Sequence, residues 1–397
     1  MKLFLNRKEN SKKCEMEAVV VTMVLLVTIL IGAMYLIFAP KQDFSEDENR
    51  VLEPAPKVTL ASLANGSFMD SIESYVGDHF MFRKESIALN TRIQLMIGKR
   101  DLGSNYGQTP AEGGVYFGKD GHLYEVLLPN HTDTFARNVA AIQLFAKNTA
   151  LPFYFMPVPS GAQEQRDRLP FSAPSHDQRE EFNTIQAGAG ENTKVIDLFG
   201  TLSDRTGNDY YYKTDHHWNT FGAYKGYEAL VKAMNIQPTP QEDFDFEPVS
   251  DSFLGTLYSK AILTTQERDV LYLPVYKKPA VLTQQTGKQQ RDSLYWKEYL
   301  EKKDKYSVFL GGNHSVDVVK SSTVSNGRKL LIIKDSYANS MVPFLATNFQ
   351  EIHIIDPRYY NQDIYDYIQQ NAITDTAAVY SIKQLCDVLV ANKLSVR

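Results

Sequence analysis

From Ala18 to Phe38 the chain runs for 21 residues without a charge, and no other feature limits its architecture so strongly. A helix of that length crosses about 30 Å of hydrocarbon, where every backbone N–H and C=O must be satisfied within the segment itself. The run therefore reads as one transmembrane helix. Lys2, Arg7, Lys8, Lys12 and Lys13 precede it, whereas Lys41 is followed at once by Asp43, Glu46, Asp47 and Glu48. The positive-inside bias then places residues 1–17 in the cytoplasm as a short tail, makes 18–38 a signal anchor, and puts everything after it outside the cell membrane. A cleaved signal peptide is the competing reading. Against it, the run exceeds an ordinary signal core, and Pro40 after Ala39 is a poor setting for cleavage.

The formal charge of −5 divides unevenly. The five cations and Glu9, Glu15 and Glu17 leave +2 before the span, hence −7 after it. A mildly acidic outer part offers no field to attract nucleic acid. Cys14 and Cys386 fall on opposite sides of the membrane and cannot pair, and a domain of this size needs no disulfide staple.

Residues 39–67 read as a linker, acidic and punctuated by Pro40, Pro54 and Pro56, and 68–397 as one extracytoplasmic domain. Phe68–Leu95 has helical spacing with a break near Gly77-Asp78-His79. Gly113–Phe117 and His122–Tyr124 form a hairpin pattern about Lys119-Asp120-Gly121. Then strands and helices alternate: a helix from Phe135 to Phe145, a strand Phe153–Val158, a helix Asp177–Gln186, a strand Val195–Phe199, a helix Thr220–Met234. A second series follows: strand Lys329–Ile333, helix Ala338–Thr347, strand Ile352–Ile355, helix Asn361–Gln370, strand Ala377–Tyr380, helix Ile382–Val390. Such alternation predicts an α/β fold, a mostly parallel sheet with helices on both faces. Between Gln237 and Asn326 the pattern weakens and reads as an insertion or extended loops.

Two segments concentrate reactive side chains: Tyr210-Tyr211-Tyr212-Lys213-Thr214-Asp215-His216-His217-Trp218-Asn219 and Leu331-Ile332-Ile333-Lys334-Asp335-Ser336-Tyr337-Ala338-Asn339-Ser340. In the second, a short apolar strand ends in Asp-Ser and a helix follows. A serine there stands at the carboxyl edge of a parallel sheet, where open α/β folds bind ligands. Asp and Ser are also good helix N-caps, so the junction alone needs no catalysis to explain it. A serine hydroxyl is a poor nucleophile without an imidazole base that a carboxylate orients. Asp215 and His217, two apart in an extended segment, would project to one side and supply both. His216 would face the other way, as a structural hydrogen bond or a substrate contact. A metal site from Asp215, His216 and His217 is weaker, since adjacent histidines should diverge and no second ligand cluster at metal spacing appears. No metal and no cofactor is expected.

The run Thr214–Asn219 resembles the signature of the DHHW family of bacterial membrane-anchored proteins, and its Asp-x-His-Trp core is similar to that of the alginate O-acetyltransferases, which are SGNH-like enzymes. Lys334-Asp335-Ser336-Tyr337, Pro343-Phe344-Leu345 and Ile354–Tyr360 resemble the family's C-terminal serine block. Phe253-Leu254-Gly255-Thr256 and Gly311-Gly312-Asn313-His314 also look like family positions. The resemblance runs from about residue 68 to the C-terminus and implies an SGNH-like domain with Asp215 and His217 as a dyad and Ser336 as nucleophile. The Asp-His pair precedes the serine, as in the alginate group. A triad is defined by geometry and not by chain order. Lys334 stands where SGNH hydrolases carry a small residue.

The reading expected from these residues is O-acetyl transfer to a cell-envelope or secreted polysaccharide through an acetyl-serine. Asn313 and the Ser336 backbone N–H would be the oxyanion donors, and Asp335 a cap or brace. Tyr212, Trp218, His216 and Arg358 are the candidate substrate contacts, with Tyr210, Tyr211, Tyr359 and Tyr360 clustered nearby. A multi-span membrane acyltransferase is the partner the resemblance implies. A polysaccharide O-acetylesterase, and a non-catalytic glycan-binding or scaffold protein of the envelope, are the alternatives.

Overall fold

The computed structural model describes residues 2–102, 114–129, 133–171, 173–204, 207–278 and 281–395, with side chains from residue 16 onward. Two compact units emerge, Met1–Arg92 and Ile93–Arg397. The first begins with the long helix α1 (Lys2–Phe38). Its stretch Met16–Phe38 is long and apolar enough to cross a membrane and is not buried against protein. A small ladder, β1 (Phe44–Ser45) with β2 (Arg50–Val51), and helices α2 (Leu60–Ala64), α3 (Ser67–Asp78) and α4 (Arg83–Met96) follow. The expected break falls between α3 and α4, at His79–Phe82. Here Arg50 bonds both Glu48 and Asp78, and Arg83 bonds Glu48.

The second unit opens with an antiparallel ladder of β3 (Asp101–Leu102), β4 (Val115–Phe117) and β5 (Leu123–Glu125). The β4–β5 connection carries positive φ at Asp120 (55°) and Gly121 (72°), the left-handed backbone that an Asp-Gly pair tolerates best. Gly113, which the sequence assigned to the first of these strands, lies outside the described residues.

Next come α5 (Thr134–Asn148), β6 (Phe153–Val158), the short α6 (Gly161–Glu164), α7 (Arg179–Ala187), β7 (Thr193–Val195) and α8 (Thr220–Ala233). After a long hairpin of β8 (Phe244–Phe253) and β9 (Asp269–Tyr276) with α9 (Thr256–Lys260) between them, the chain forms β10 (Leu282–Thr286), β11 (Gln289–Arg291) and β12 (Val316–Ser321). It finishes with β13 (Lys329–Lys334), α10 (Val342–Leu345), β14 (Glu351–Ile355), α11 (Ile364–Gln370), β15 (Asp375–Ser381) and α12 (Ile382–Asp387).

One eight-stranded sheet organises this unit, in the order β11-β10-β12-β14-β13-β15-β6-β7. The five strands from β14 to β7 run parallel. β12 joins β14 antiparallel and carries β10 and β11 outward. Along the central strands neighbouring residues serve opposite cores. Met156, Ile332, Ile354 and Val379 pack with Tyr227, Leu230 and Val231 of α8. Phe155, Ile333, Ile355 and Tyr380 pack with Ile142 and Phe145 of α5 and with α11 and α12. A strand buried on both faces needs an unbroken apolar run, which is why Leu-Leu-Ile-Ile in β13 reads so clearly. The mixed α/β architecture with helices on both faces is the expected one.

Three local expectations give way. The weak stretch Gln237–Asn326 carries five strands, β8 to β12, joined by turns and short helices, and three of these strands extend the main sheet. Its pattern hides them because β8 is irregular, with register shifts between Pro248 and Phe253, and because β10 and β12 bury polar Gln284 and Asp317. The expected helix Ala338–Thr347 is a 3-10 turn, Ser336–Ser340, followed by α10. Pro343 lacks the N–H that a continuous helix would need there. The strand expected at Val195–Phe199 ends at Val195, where the Asp197 side chain takes the Phe199 N–H at 2.9 Å and turns the chain.

Candidate active site

Ser336 follows β13, which lies between the parallel strands β14 and β15. Asp335 fixes the turn: its Oδ1 accepts the Tyr337 N–H at 2.9 Å and its Oδ2 the Ser381 N–H at 2.7 Å, at the end of β15. Fully buried, the Asp335 carboxyl is pushed above the usual range by desolvation, against the two N–H groups it accepts. The cap-and-brace role expected of Asp335 is what the geometry shows. Ser336 itself remains partly accessible.

The Asp215–Trp218 run is a bend closed by an antiparallel bridge between Tyr211 and Trp218, not an extended strand. Trp218 is fully buried and donates its indole N–H to Tyr337 O at 2.9 Å and to Ser340 Oγ at 3.1 Å. It thereby pins the bend to the serine turn. Behind it α8 must be bare: a Cβ on Gly226 would lie 2.6 Å from the indole. Asn219 caps α8 through its side-chain oxygen, which accepts the Phe221 and Gly222 N–H groups.

Within the bend Asp215 meets His217 by a local Asx-type turn. Its Oδ1 accepts both the His217 backbone N–H (3.0 Å) and the Nδ1–H (2.5 Å). The other oxygen, Oδ2, takes the Thr256 N–H at 2.8 Å and the Thr256 hydroxyl at 3.1 Å. Gly255 permits that approach, because a Cβ there would stand 2.2 Å from Asp215 Cβ. Thr214 and the backbone of Lys213 are held in turn by Asp269. With Nδ1–H committed to a carboxylate, His217 Nε2 is the bare nitrogen, and it lies 2.6 Å from Ser336 Oγ. The residues named from sequence as nucleophile, base and orienting carboxylate thus come together from chain segments 119 residues apart.

Electrostatics favour a neutral imidazole. Burial, aided by His216, pulls His217 below the ordinary imidazole range, and Asp215 only partly opposes this. Burial works against charge on Asp215 as well, but the two histidines and the Thr256 N–H hold it below the usual carboxylate range. Two rings press on the imidazole: Tyr306 stacks at 3.9 Å and 10°, and His216 lies at 3.9 Å. The Tyr306 hydroxyl reaches Ser336 O at 3.0 Å and Ser340 Oγ at 3.1 Å.

His216 therefore does not turn away from His217 as an extended strand would require, and its Nδ1 bonds Thr256 Oγ1 at 2.6 Å. Ligand atoms of Asp215, His216 and His217 lie within 4.8 Å of one another. The bonds above already engage both carboxylate oxygens and His217 Nε2, so this donor set is committed to the Asp-His-Ser chain. Of the other expected contacts, Trp218 and Tyr212 are core residues, 0% and 3% exposed. The Tyr212 ring packs edge-on against Phe253 and Tyr306. Arg358 forks onto Asp356 through Nε (2.9 Å) and Nη2 (2.6 Å), which satisfies the charge locally. Tyr211 and Tyr360 are buried too, whereas Tyr359 is half exposed. Asn313 is half buried, and its Oδ1 accepts from Lys334 Nζ at 2.6 Å.

Tyr306, and the roles of Gly255, Thr256 and Lys334, escaped the reading of the sequence. The run Phe253–Thr256 was visible only as a family likeness, and Tyr306 carries no local signal at all.

The family described as DHHW protein matches residues 154–355. Among curated proteins none matches the chain. Of solved structures, a DHHW family protein from Eubacterium siraeum is similar, with a TM-score of 0.62 and 23% identity over 72% of this chain and 95% of that one. PatB1 of Bacillus cereus has a TM-score of 0.59 and 24% identity over 70% of this chain and 99% of its own; it is also known with a sulfonyl adduct. The O-acetyltransferase domain of Pseudomonas putida AlgJ has a TM-score of 0.45 and 15% identity over 70% and 94%. At these identities the likeness to the Eubacterium siraeum protein and to PatB1 is one of fold.

Proposed function

The chain belongs to the DHHW family, and from that premise we propose that it is a membrane-anchored, extracytoplasmic enzyme transferring acetyl groups to polysaccharide hydroxyls. The observation that carries this reading is the continuous Asp215–His217–Ser336 hydrogen-bond chain, 2.5 and 2.6 Å at its two links. It supports serine acyl chemistry; acetyl and polysaccharide rest on the family resemblance. α1 would anchor the protein with its N-terminus in the cytoplasm, and a multi-span membrane acyltransferase would deliver the acetyl group.

His217 Nε2 takes the Ser336 proton as Oγ bonds to the acetyl carbonyl carbon. The oxyanion is met by the Ser336 N–H and the Asn313 side chain. Collapse expels the donor alcohol, which leaves with the proton from His217, and an acetyl-serine remains. A glycan hydroxyl then gives its proton to His217, attacks the ester, and departs acetylated as Ser336 recovers its proton.

Two measurements test this. PatB1 is known with a sulfonyl adduct, so a sulfonyl fluoride is a suited probe: it is expected to label Ser336, and His217→Ala to lose the labelling. With p-nitrophenyl acetate as donor, added glycan should divert acetyl from free acetate into the polymer. Free acetate at every acceptor level would identify an esterase, and absence of labelling a binding protein. The base must be unprotonated to act, and His217 holds its proton less tightly than the ordinary value of 6.5. The acid limb of kcat/KM is therefore expected at a midpoint below pH 6.5, since loss of activity follows protonation. A midpoint above it would contradict the buried, neutral imidazole.

A further inference from the structure

Lys334, the last residue of β13, is 1% exposed. Burying an ammonium is costly unless its donors are matched. Lys334 Nζ donates to Asn313 Oδ1 at 2.6 Å and to Asn339 Oδ1 at 2.7 Å. An ammonium only donates, so both carboxamides must turn their oxygens toward it and their NH2 groups away. The NH2 of Asn339 then reaches Gly312 O and Asn313 Oδ1, both at 3.2 Å. The NH2 of Asn313 bonds nothing among the described residues, and the residue is partly open to solvent.

Where the Asn313 side chain is held follows from local geometry. Ser336–Ser340 is a 3-10 turn, in which side chains three apart eclipse. Asn339 therefore shares the face of Ser336, one turn on, and Asn313, bonded to Asn339, lies on that face too. The loop that delivers Asn313 has little freedom. Leu310, Gly311 and Gly312 all have positive φ (62°, 79° and 99°), and a Cβ on Gly311 would sit 2.6 Å from the Trp296 ring.

We propose that Lys334 is a positioning residue for acyl transfer: by holding the oxygens of Asn313 and Asn339 it keeps the Asn313 amide N–H turned toward the face of Ser336 where the acyl oxygen gains negative charge. This rests on the acyl-transfer reading above. Lys334 makes no hydrogen bond to Ser336 or His217 among the described residues, although its charge adds to the burial that lowers the proton affinity of His217. Burial pulls the proton affinity of Lys334 itself down to about 8, while Asp356, Asp317 and Asp335 oppose the loss, so it stays an ammonium near neutrality.

The test is a kinetic cycle on the full chain in detergent micelles, with p-nitrophenyl acetate as donor. Removing one oxyanion donor lowers kcat by about 100-fold or more, so Lys334→Met and Asn313→Ala should each do so with KM little changed. The double variant should fall no further than about threefold below Asn313→Ala, because both act through one N–H. Multiplied losses, or wild-type kcat in Lys334→Met, would overturn the proposal. Should circular dichroism show Lys334→Met unfolded, Lys334→Gln keeps an NH2 donor group but is shorter and uncharged, and should lose kcat about tenfold, midway between wild type and full loss of the oxyanion donor; full activity there overturns it equally. Ser336→Ala run in parallel separates the two claims. If it retains turnover, the acyl-transfer reading fails; if it is inactive while Lys334→Met is not, only the orienting role fails.

Discussion

Ser336→Ala is expected to lower acetyl transfer by about 10⁶-fold, the scale on which a triad nucleophile is lost, while leaving the fold intact. The size of the effect follows from the single path the geometry provides. His217 Nε2 has Ser336 Oγ at 2.6 Å, and on the proposed acyl-transfer reading the loss of that oxygen leaves no covalent acceptor for the acetyl group in line with the base. The substitution should barely alter stability. Ser336 is partly accessible, and its hydroxyl makes one bond of a kind typically worth about 1 kcal/mol. The Asp335 brace and the Trp218 bonds to Tyr337 and Ser340 do not involve the Ser336 side chain. Turnover and urea unfolding measured on one preparation give the answer. Transfer at a tenth of the wild-type rate or better would rule out an acetyl-serine.

Trp218→Ala should do the reverse and act first on stability, by about 3–5 kcal/mol. The indole is fully buried, and its N–H serves two acceptors on the serine turn. Truncation leaves a cavity against Gly222 and Gly226 of α8, and takes from the Tyr337 carbonyl the second of its two donors, the Ser340 N–H of the 3-10 turn remaining. Trp218→Phe keeps most of the volume but not the donor, and should cost less, about 1–2 kcal/mol, the worth of the lost indole hydrogen bonds to acceptors that each keep another partner. Urea unfolding followed by circular dichroism separates the two. A loss under about 1 kcal/mol in Trp218→Ala would mean that the bend and the turn are held together by something else.

What the sequence showed, it showed where one physical rule acts alone. β13 was plain because a strand covered on both faces must be apolar throughout, and the Asp-Gly turn because few residues accept its backbone. Asp215, His217 and Ser336 follow from the demands of nucleophilic chemistry, but strand alternation is not what joins the first two. These two meet in an Asx turn, so His216 stays beside its neighbour. Trp218 and Tyr212 were misjudged because an aromatic next to a reactive motif can face either way, and only packing decides. Tyr306 and Thr256 lay hidden in the stretch with the least regular pattern. Their contribution is a ring face and a backbone N–H presented across the fold, and neither leaves a trace in local spacing.

Two rings at 3.9 Å, a third at 5.0 Å and a carboxylate on Nδ1 surround the imidazole at the centre, which leaves it little scope to swing. On the acyl-transfer reading, a base that cannot pivot must release a proton to the outgoing alcohol and accept one from the incoming sugar at one and the same point. The outgoing alcohol and the incoming sugar would then occupy one berth in turn. Tyr306 and His216 would, in effect, impose an order of events: the first guest must vacate before the second arrives, and each would obstruct the other when abundant.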